Sequence, residues 1–223
     1  MQKISMTSYG LFALAVIIVG SLLLASTASA AGGPPPTAPG KNKLQCFDGT
    51  TETAGFYGGT CTLNSNGAKG SATLALNSSN PNGDYAGVYT LESKVYSTAV
   101  SNLTQLSYQY SGTITPSAGN LSYNLPIDTD GNGTTDFYLF IDAANDGIHC
   151  PGVGGLVDII NDPNCVMYEG GVTPRANWAA FVAANPGAKI AIDNYAFIVA
   201  ERTGSEPAAV WTVNNVKFGK GGK

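Results

Sequence analysis

Apolar and polar residues take turns singly over much of the chain beyond Gly70. Ala72, Leu74 and Leu76 alternate with Ser71 and Thr73, and Leu121, Tyr123 and Leu125 with Ser122 and Asn124. Leu103, Leu106, Tyr108 and Tyr110 lie in a run whose other face is Ser107, Gln109 and Ser111. A period of two puts successive side chains on opposite faces of an extended chain, so these runs predict half-buried antiparallel strands. Turn clusters bound them, Asn80-Pro81-Asn82-Gly83 and Thr115-Pro116-Ser117-Ala118-Gly119 among them. Phe137 to Ile141 and Tyr195 to Ala200 are apolar on both faces, which predicts strands at the centre of a sandwich.

The last run, Ala208 to Phe218, changes phase. Trp211 and Val213 fall at odd positions, Val216 and Phe218 at even ones. A slip of one residue predicts a β-bulge near Asn214-Asn215. One helix, over about 174–185, interrupts the β pattern. Thr173 can cap it, Pro174 fits its first position, Trp178, Phe181 and Val182 share a face, and Asn185-Pro186-Gly187 ends it. About eight to ten strands with one short helix predict an all-β fold, a jelly-roll-type antiparallel β-sandwich over residues 44–219.

The segment before that domain has a different character. Lys3 precedes an apolar run, Leu11 to Leu24, broken by Gly20 and Ser21, and Ala28-Ser29-Ala30 is a small-residue cleavage pattern. Residues 1–30 therefore read as a secretory signal peptide, and the run is shorter than a spanning helix requires. Ala31 to Lys43 is a Gly/Pro-rich flexible leader, and residues 220–223 are a tail. The expected product is secreted or held at the cell surface, with no membrane span after cleavage. The chain has 223 residues, so one such domain accounts for its length. Only 12% of residues are charged, and eleven Lys and Arg against fifteen Asp and Glu leave no basic face for nucleic acid.

Four cysteines behind an export signal predict disulfides. They allow three pairings. Cys46 and Cys61 have the same spacing as Cys150 and Cys165, and the equal local loops favour Cys46–Cys61 with Cys150–Cys165. No C-x-x-C is present, so zinc and dithiol redox chemistry have no support.

The sharpest local signal is Asp128-Thr129-Asp130-Gly131-Asn132-Gly133-Thr134-Thr135-Asp136. Asp128, Asp130 and Asn132 at positions 1, 3 and 5, the carbonyl of Thr134 at 7 and Asp136 at 9 follow the spacing of a calcium loop. Position 12 departs from it, with Leu139 where a bidentate Glu belongs, so a further ligand has to come from Asp142 or water. Asp, Asn and Gly are also the residues that build hairpin turns, and a bare turn is the alternative.

Catalytic signatures are sparse. No E-x-D-x-x-E run or G-x-S-x-G elbow occurs, the five glutamates are scattered, and the single His149 lies in a Gly/Pro-rich stretch beside Cys150. Eleven Tyr and two Trp offer another chemistry, because aromatic rings on a sandwich can stack on sugars. Tyr85, Tyr89, Tyr108, Tyr110 and Tyr123 either form such a face or pack inside, and Tyr108 and Tyr110, in phase with Leu106, belong to the core. The Cys150–Cys165 loop, with Asp158 and Asp162, is a candidate ligand rim.

The segments LTQLSYQYS (Leu103–Ser111), IDTDGNGTTD followed by FYLFID, NWAAFVAANPG and VWTVNNVKFG together give a resemblance. This half of the chain resembles secreted prokaryotic β-sandwich domains similar to jelly-roll carbohydrate-binding modules. The resemblance implies extracellular display and glycan contact, and it carries over no catalytic residue. The expected function is a non-catalytic binding module for an extracellular glycan or surface component, with a calcium-stiffened loop. A self-assembling subunit of a cell-surface or matrix structure is the alternative, and a polysaccharide hydrolase or lyase the next.

Overall fold

The computed structural model describes residues 44–48, 59–64, 70–76, 83–90, 95–112, 120–143, 150, 155–202 and 207–219. The expected signal peptide, the leader, His149 and the tail lie outside the described residues.

The chain forms two antiparallel sheets. The larger runs in the order β1 (Leu44–Asp48), β4 (Asp84–Thr90), β12 (Phe197–Arg202), β6 (Asn120–Asp128), β7 (Phe137–Asp142), β9 (Met167–Glu169) and β10 (Thr173–Arg175), and β11 (Lys189–Ile190) also pairs with β6. The smaller runs β2 (Thr60–Leu63), β3 (Ala72–Leu76), β13 (Ala209–Gly219), β5 (Gln105–Gly112) and β8 (Leu156–Asp158). The chain crosses repeatedly from one sheet to the other, so most neighbours in space are distant in sequence. That is a β-sandwich of jelly-roll type with, among the described residues, one short α-helix, α1 (Trp178–Ala184).

Thirteen strands are described, against about eight to ten expected. Four of the thirteen, β8 to β11, are two or three residues long, too short to display a period of two.

The predicted alternation divides the faces as expected. Ala86, Val88, Leu121, Tyr123, Leu125, Leu139, Ile141 and Ile198 of the larger sheet are buried against Leu74, Leu106, Tyr108, Trp211, Val213 and Phe218 of the smaller. Tyr108 on β5 and Tyr123 on β6 stack across the interior with ring centroids 5.9 Å apart. Tyr110, in phase with them, is partly buried and packs on the same core.

The phase change in β13 is the expected bulge. Asn214 pairs with Gln109 and Lys217 with Ser107, so one residue is extra, and Asn215 takes a positive φ of 50°. Trp211 and Val213 before the bulge and Val216 and Phe218 after it all reach the core.

The helix is shorter than expected at its start. Gly170 and Gly171, both at positive φ, turn the chain back on itself, and Thr173–Arg175 then pairs with β9. Pro174 has no N–H to offer and sits on that edge strand, where none is needed. Asn177 is the cap instead of Thr173, its Oδ1 accepting the Ala180 N–H at 2.9 Å.

Both expected disulfides are present, Cys46–Cys61 and Cys150–Cys165. The first ties β1 of the larger sheet to β2 of the smaller and so joins the two layers at one edge. At the end of β4 and β12, Arg202 Nε donates to Asp84 Oδ1 at 2.6 Å, with both side chains wholly buried. Removing one member leaves a charge stranded in the interior, which costs about 3–5 kcal/mol. Asp84→Ala is therefore expected to lower the melting temperature by roughly 10 °C, measured by calorimetry.

Candidate functional site

Seven strands put one face of the larger sheet away from the core, and period two fills it with a second set of apolar side chains. Backbone register places Gln45, Tyr89, Phe197, Asn124, Phe140, Tyr168 and Pro174 in one row that crosses β1, β4, β12, β6, β7, β9 and β10. From Tyr89 to Tyr168 the row spans four strand spacings, roughly 19 Å.

Rings beside the row extend it. Phe47 packs edge-on to Phe197 at 5.7 Å, Tyr138 does the same at 5.5 Å, and Tyr195 lies 4.7 Å from Tyr89. Phe47 reaches this position because its strand partner is Gly87. A β-carbon there would lie 2.3 Å from Phe47 Cζ and 2.6 Å from the Ile198 carbonyl oxygen. The Tyr89 hydroxyl donates to Gln45 Oε1. The rings of the row and its neighbours are half-buried, so each keeps an edge or part of a face in contact with solvent.

Polar groups interrupt the aromatic surface. Asn124, 1% exposed, stands between Phe197 and Phe140. Its Nδ2 donates to Ser122 Oγ at 2.7 Å, while its Oδ1 is buried and unpartnered. An unmet buried acceptor costs about 1–3 kcal/mol, so this oxygen is a standing demand for a donor.

The next row, Phe47, Gly87, Val199, Ser122 and Asp142, carries one carboxylate, and Glu201, paired with Tyr85, carries another. Burial first, and then the Asp142 charge, raise the Glu201 pKa to about 7. On the other side of the row, Tyr138 has a raised pKa, through burial first and then the Asp193 charge. Acidic groups therefore flank the rings on both sides. The rows contain no Lys or Arg among the described residues.

Aromatic residues on this face that the sequence did not single out are Phe47, Tyr138, Phe140, Tyr168 and Phe197, and Glu201 is such a carboxylate, while Asp142, expected beside the calcium loop, stands here instead. A signal was present. In Tyr138-Leu139-Phe140-Ile141 and Tyr195-Ala196-Phe197-Ile198 the apolar residues are aromatic on one parity and aliphatic on the other. Tyr85 and Tyr89 belong to this face, while Tyr108 and Tyr123 are in the core.

The Asp128–Asp136 loop closes the β6–β7 hairpin at the end of the same sheet. Carboxylate oxygens of Asp128, Asp130 and Asp136 lie within 4.8 Å of one another. Asp128 accepts the N–H groups of Gly131 (2.7 Å) and Gly133 (2.9 Å), Asp130 that of Asn132 (3.0 Å), and Asn132 Oδ1 that of Thr134 (2.6 Å). Asp136 is held below the usual carboxylate range by the Thr129 hydroxyl and N–H. Asp142 cannot complete this group, because it lies at the far end of β7, roughly 17 Å away. Leu139 at position 12 is core.

Asp158 and Asp162 are elsewhere. Asp158 ends β8, the edge of the smaller sheet, and accepts the Asn161 side-chain amide at 2.9 Å, while Asp162 accepts the Asn164 N–H at 2.9 Å. The fold does not bring this rim onto the aromatic face.

No protein-family model matches the chain, and no curated protein matches it. Among solved structures the chain is similar to the family 11 carbohydrate-binding module of cellulosomal cellulase Lic26A-Cel5E of Clostridium thermocellum. That match has 10% identity and a TM-score of 0.37 and covers 85% of this chain and 95% of that one. An overlap this loose carries no argument, and the site stands on its own geometry.

A buried acid makes stability depend on pH. With a folded pKa near 7 and an unfolded value near 4.5, Glu201 binds more protons folded than unfolded between those limits. Its contribution is complete below about pH 4.5 and is lost as pH rises through 7. Glu201→Gln is expected to remove a fall in stability of up to about 3 kcal/mol between pH 5 and 7.5, read from denaturant midpoints across that range.

Proposed function

We propose that this protein is a secreted, non-catalytic module that binds a polysaccharide across the outer face of its larger sheet. The observation that carries the reading is the ring row, in which Tyr89 and Phe197 stand on one side of polar Asn124 and Phe140 and Tyr168 on the other, over roughly 19 Å. Sugar rings present flat C–H faces and an equatorial fringe of hydroxyls. A surface of partly exposed aromatic rings with buried amide and carboxyl groups between them suits both. The two disulfides favour an oxidising compartment, in keeping with export by residues 1–30.

Retention on insoluble polysaccharides tests this. The wild-type chain is expected to be held back on at least one member of a panel of cellulose, chitin, xylan and mannan. Tyr89→Ala and Tyr138→Ala are each expected to weaken binding by about 1–2 kcal/mol, or 5- to 30-fold. Asp158→Asn and Asp130→Asn leave it unchanged if the rim and the loop are not part of the surface.

The Asp128–Asp136 loop we read as a weak calcium site that stiffens one end of this sheet. Oxygens sharing one ion at 2.3–2.6 Å cannot be more than about 5 Å apart, and the three carboxylates meet that limit. Asn132 and the Thr134 carbonyl would add ligands, with water completing the shell. The competing cation is internal. Lys189 Nζ lies 3.7 Å from where a β-carbon on Gly131 would be, so an ammonium already faces the loop. For a dissociation constant of ~10⁻⁴–10⁻³ M, about 10 mM calcium stabilises by about 1–3 kcal/mol. The melting temperature is then expected to rise by roughly 5 °C over the same sample in chelator, and Asp130→Ala to abolish the rise. No shift would leave the loop a turn neutralised by Lys189.

A further inference from the structure

Resting on the glycan reading, we infer that the outer face selects a glycan bearing positively charged amino groups, a glucosamine-type polymer, over neutral and acidic ones. Three features agree. The rows offer π-faces, which attract an ammonium group lying over the ring. They also offer acceptors: the unpartnered Asn124 Oδ1 on the floor, the Asp142 carboxylate in the adjoining row and the Glu201 carboxyl beyond it. Finally, the charge that the described residues bring to the rows is of one sign. Asp142 and Glu201 lie on one side of the row and Asp193 on the other, while Lys189 turns its ammonium toward the Asp128–Asp136 loop.

A neutral hexose satisfies an acceptor through a hydroxyl and gains nothing from the surrounding charge. A uronic acid meets carboxylates on both flanks and is repelled. An amino sugar donates to the same acceptors, offsets the charge of the carboxylates and gains from the rings, so it is the one common sugar class for which all three features act together.

Calorimetric titration near neutral pH and about 0.15 M salt decides the matter. The probes are the fully deacetylated glucosamine hexamer, its N-acetylated counterpart, cellohexaose and a galacturonate hexamer. The amino hexamer is expected to bind at least about tenfold more tightly than the N-acetylated and cellulosic ones, and the galacturonate not at all. Removing the two flanking carboxyl groups with Asp142→Asn and Glu201→Gln together is expected to bring the amino and N-acetylated hexamers within about threefold of each other. Removing two charges from the other sheet, with Asp158→Asn and Asp162→Asn, is expected to leave the preference intact. Equal affinity of the wild-type chain for the amino and neutral hexamers overturns this inference and leaves glycan binding standing. Loss of the preference in the Asp158/Asp162 variant overturns it too, because the attraction would then be diffuse. Binding of none of the hexamers, together with no retention on any insoluble polysaccharide, overturns the glycan reading itself. Should the Asp142/Glu201 variant fail to fold, the wild-type ratios and the Asp158/Asp162 control still decide.

Discussion

Neighbouring residues of a β-strand cannot share a face, and in the larger sheet that constraint sorts two kinds of apolar side chain. Leu139 and Ile141 turn inward while Tyr138 and Phe140 turn outward, and Ile198 turns inward while Phe197 turns outward. The apolar inner set of this sheet is aliphatic apart from Phe137 and from Tyr123, which stacks on Tyr108 of the smaller sheet, and it fills one side of the space between the sheets. The outer set is aromatic apart from Val199 and Pro126, and no second sheet of the described residues lies over it. Had register slipped by one residue anywhere in β4, β12 or β7, the rings would enter the core and the small aliphatics would face outward. Interior and surface are thus fixed by the same set of hydrogen-bonded pairs.

Around that division the other devices hold the layers in place. Cys46–Cys61 joins the sheets at the β1–β2 edge, and the buried Asp84–Arg202 pair fixes the end of β4 against β12. The bulge at Asn215 keeps both halves of β13 on the core despite the extra residue. Gly87 has a different duty. It leaves the strand surface low enough for Phe47 to lie across it, so a missing side chain on one strand positions a ring from the next. Conformational strain is not involved there; the space itself is what Phe47 uses.

Much of this was legible in the sequence, and the parts that were not share a cause. Alternation in Ala72–Leu76 and Leu121–Leu125, the phase change at Asn214-Asn215 and the equal cysteine spacings are all local patterns, and each has its counterpart in the fold. The helix start was misplaced because Thr173 and Pro174 suit a helix and an edge strand alike, and only the reversal at Gly170-Gly171 decides between them. The aromatic row could not be read locally at all. Its members come from β4, β12, β7 and β9, and their alignment depends on strand order, which the crossings between sheets scramble. Asp142 and Glu201, fifty-nine positions apart, flank one strand for the same reason. Even so, the separation of aromatic from aliphatic residues by parity within two short segments held the clue.

On the proposed mode of binding, the outer aromatic row meets the ligand while the inner rings do not. Nuclear magnetic resonance of the chain with labelled Tyr and Phe rings, titrated with whichever oligosaccharide binds, tests that directly. The ring signals of Tyr89, Tyr138, Phe140 and Phe197 are expected to shift on binding while those of Tyr108, Tyr123 and Phe181 stay in place. Shifts confined to residues near Asp158 and Asp162, with the row unmoved, would contradict it.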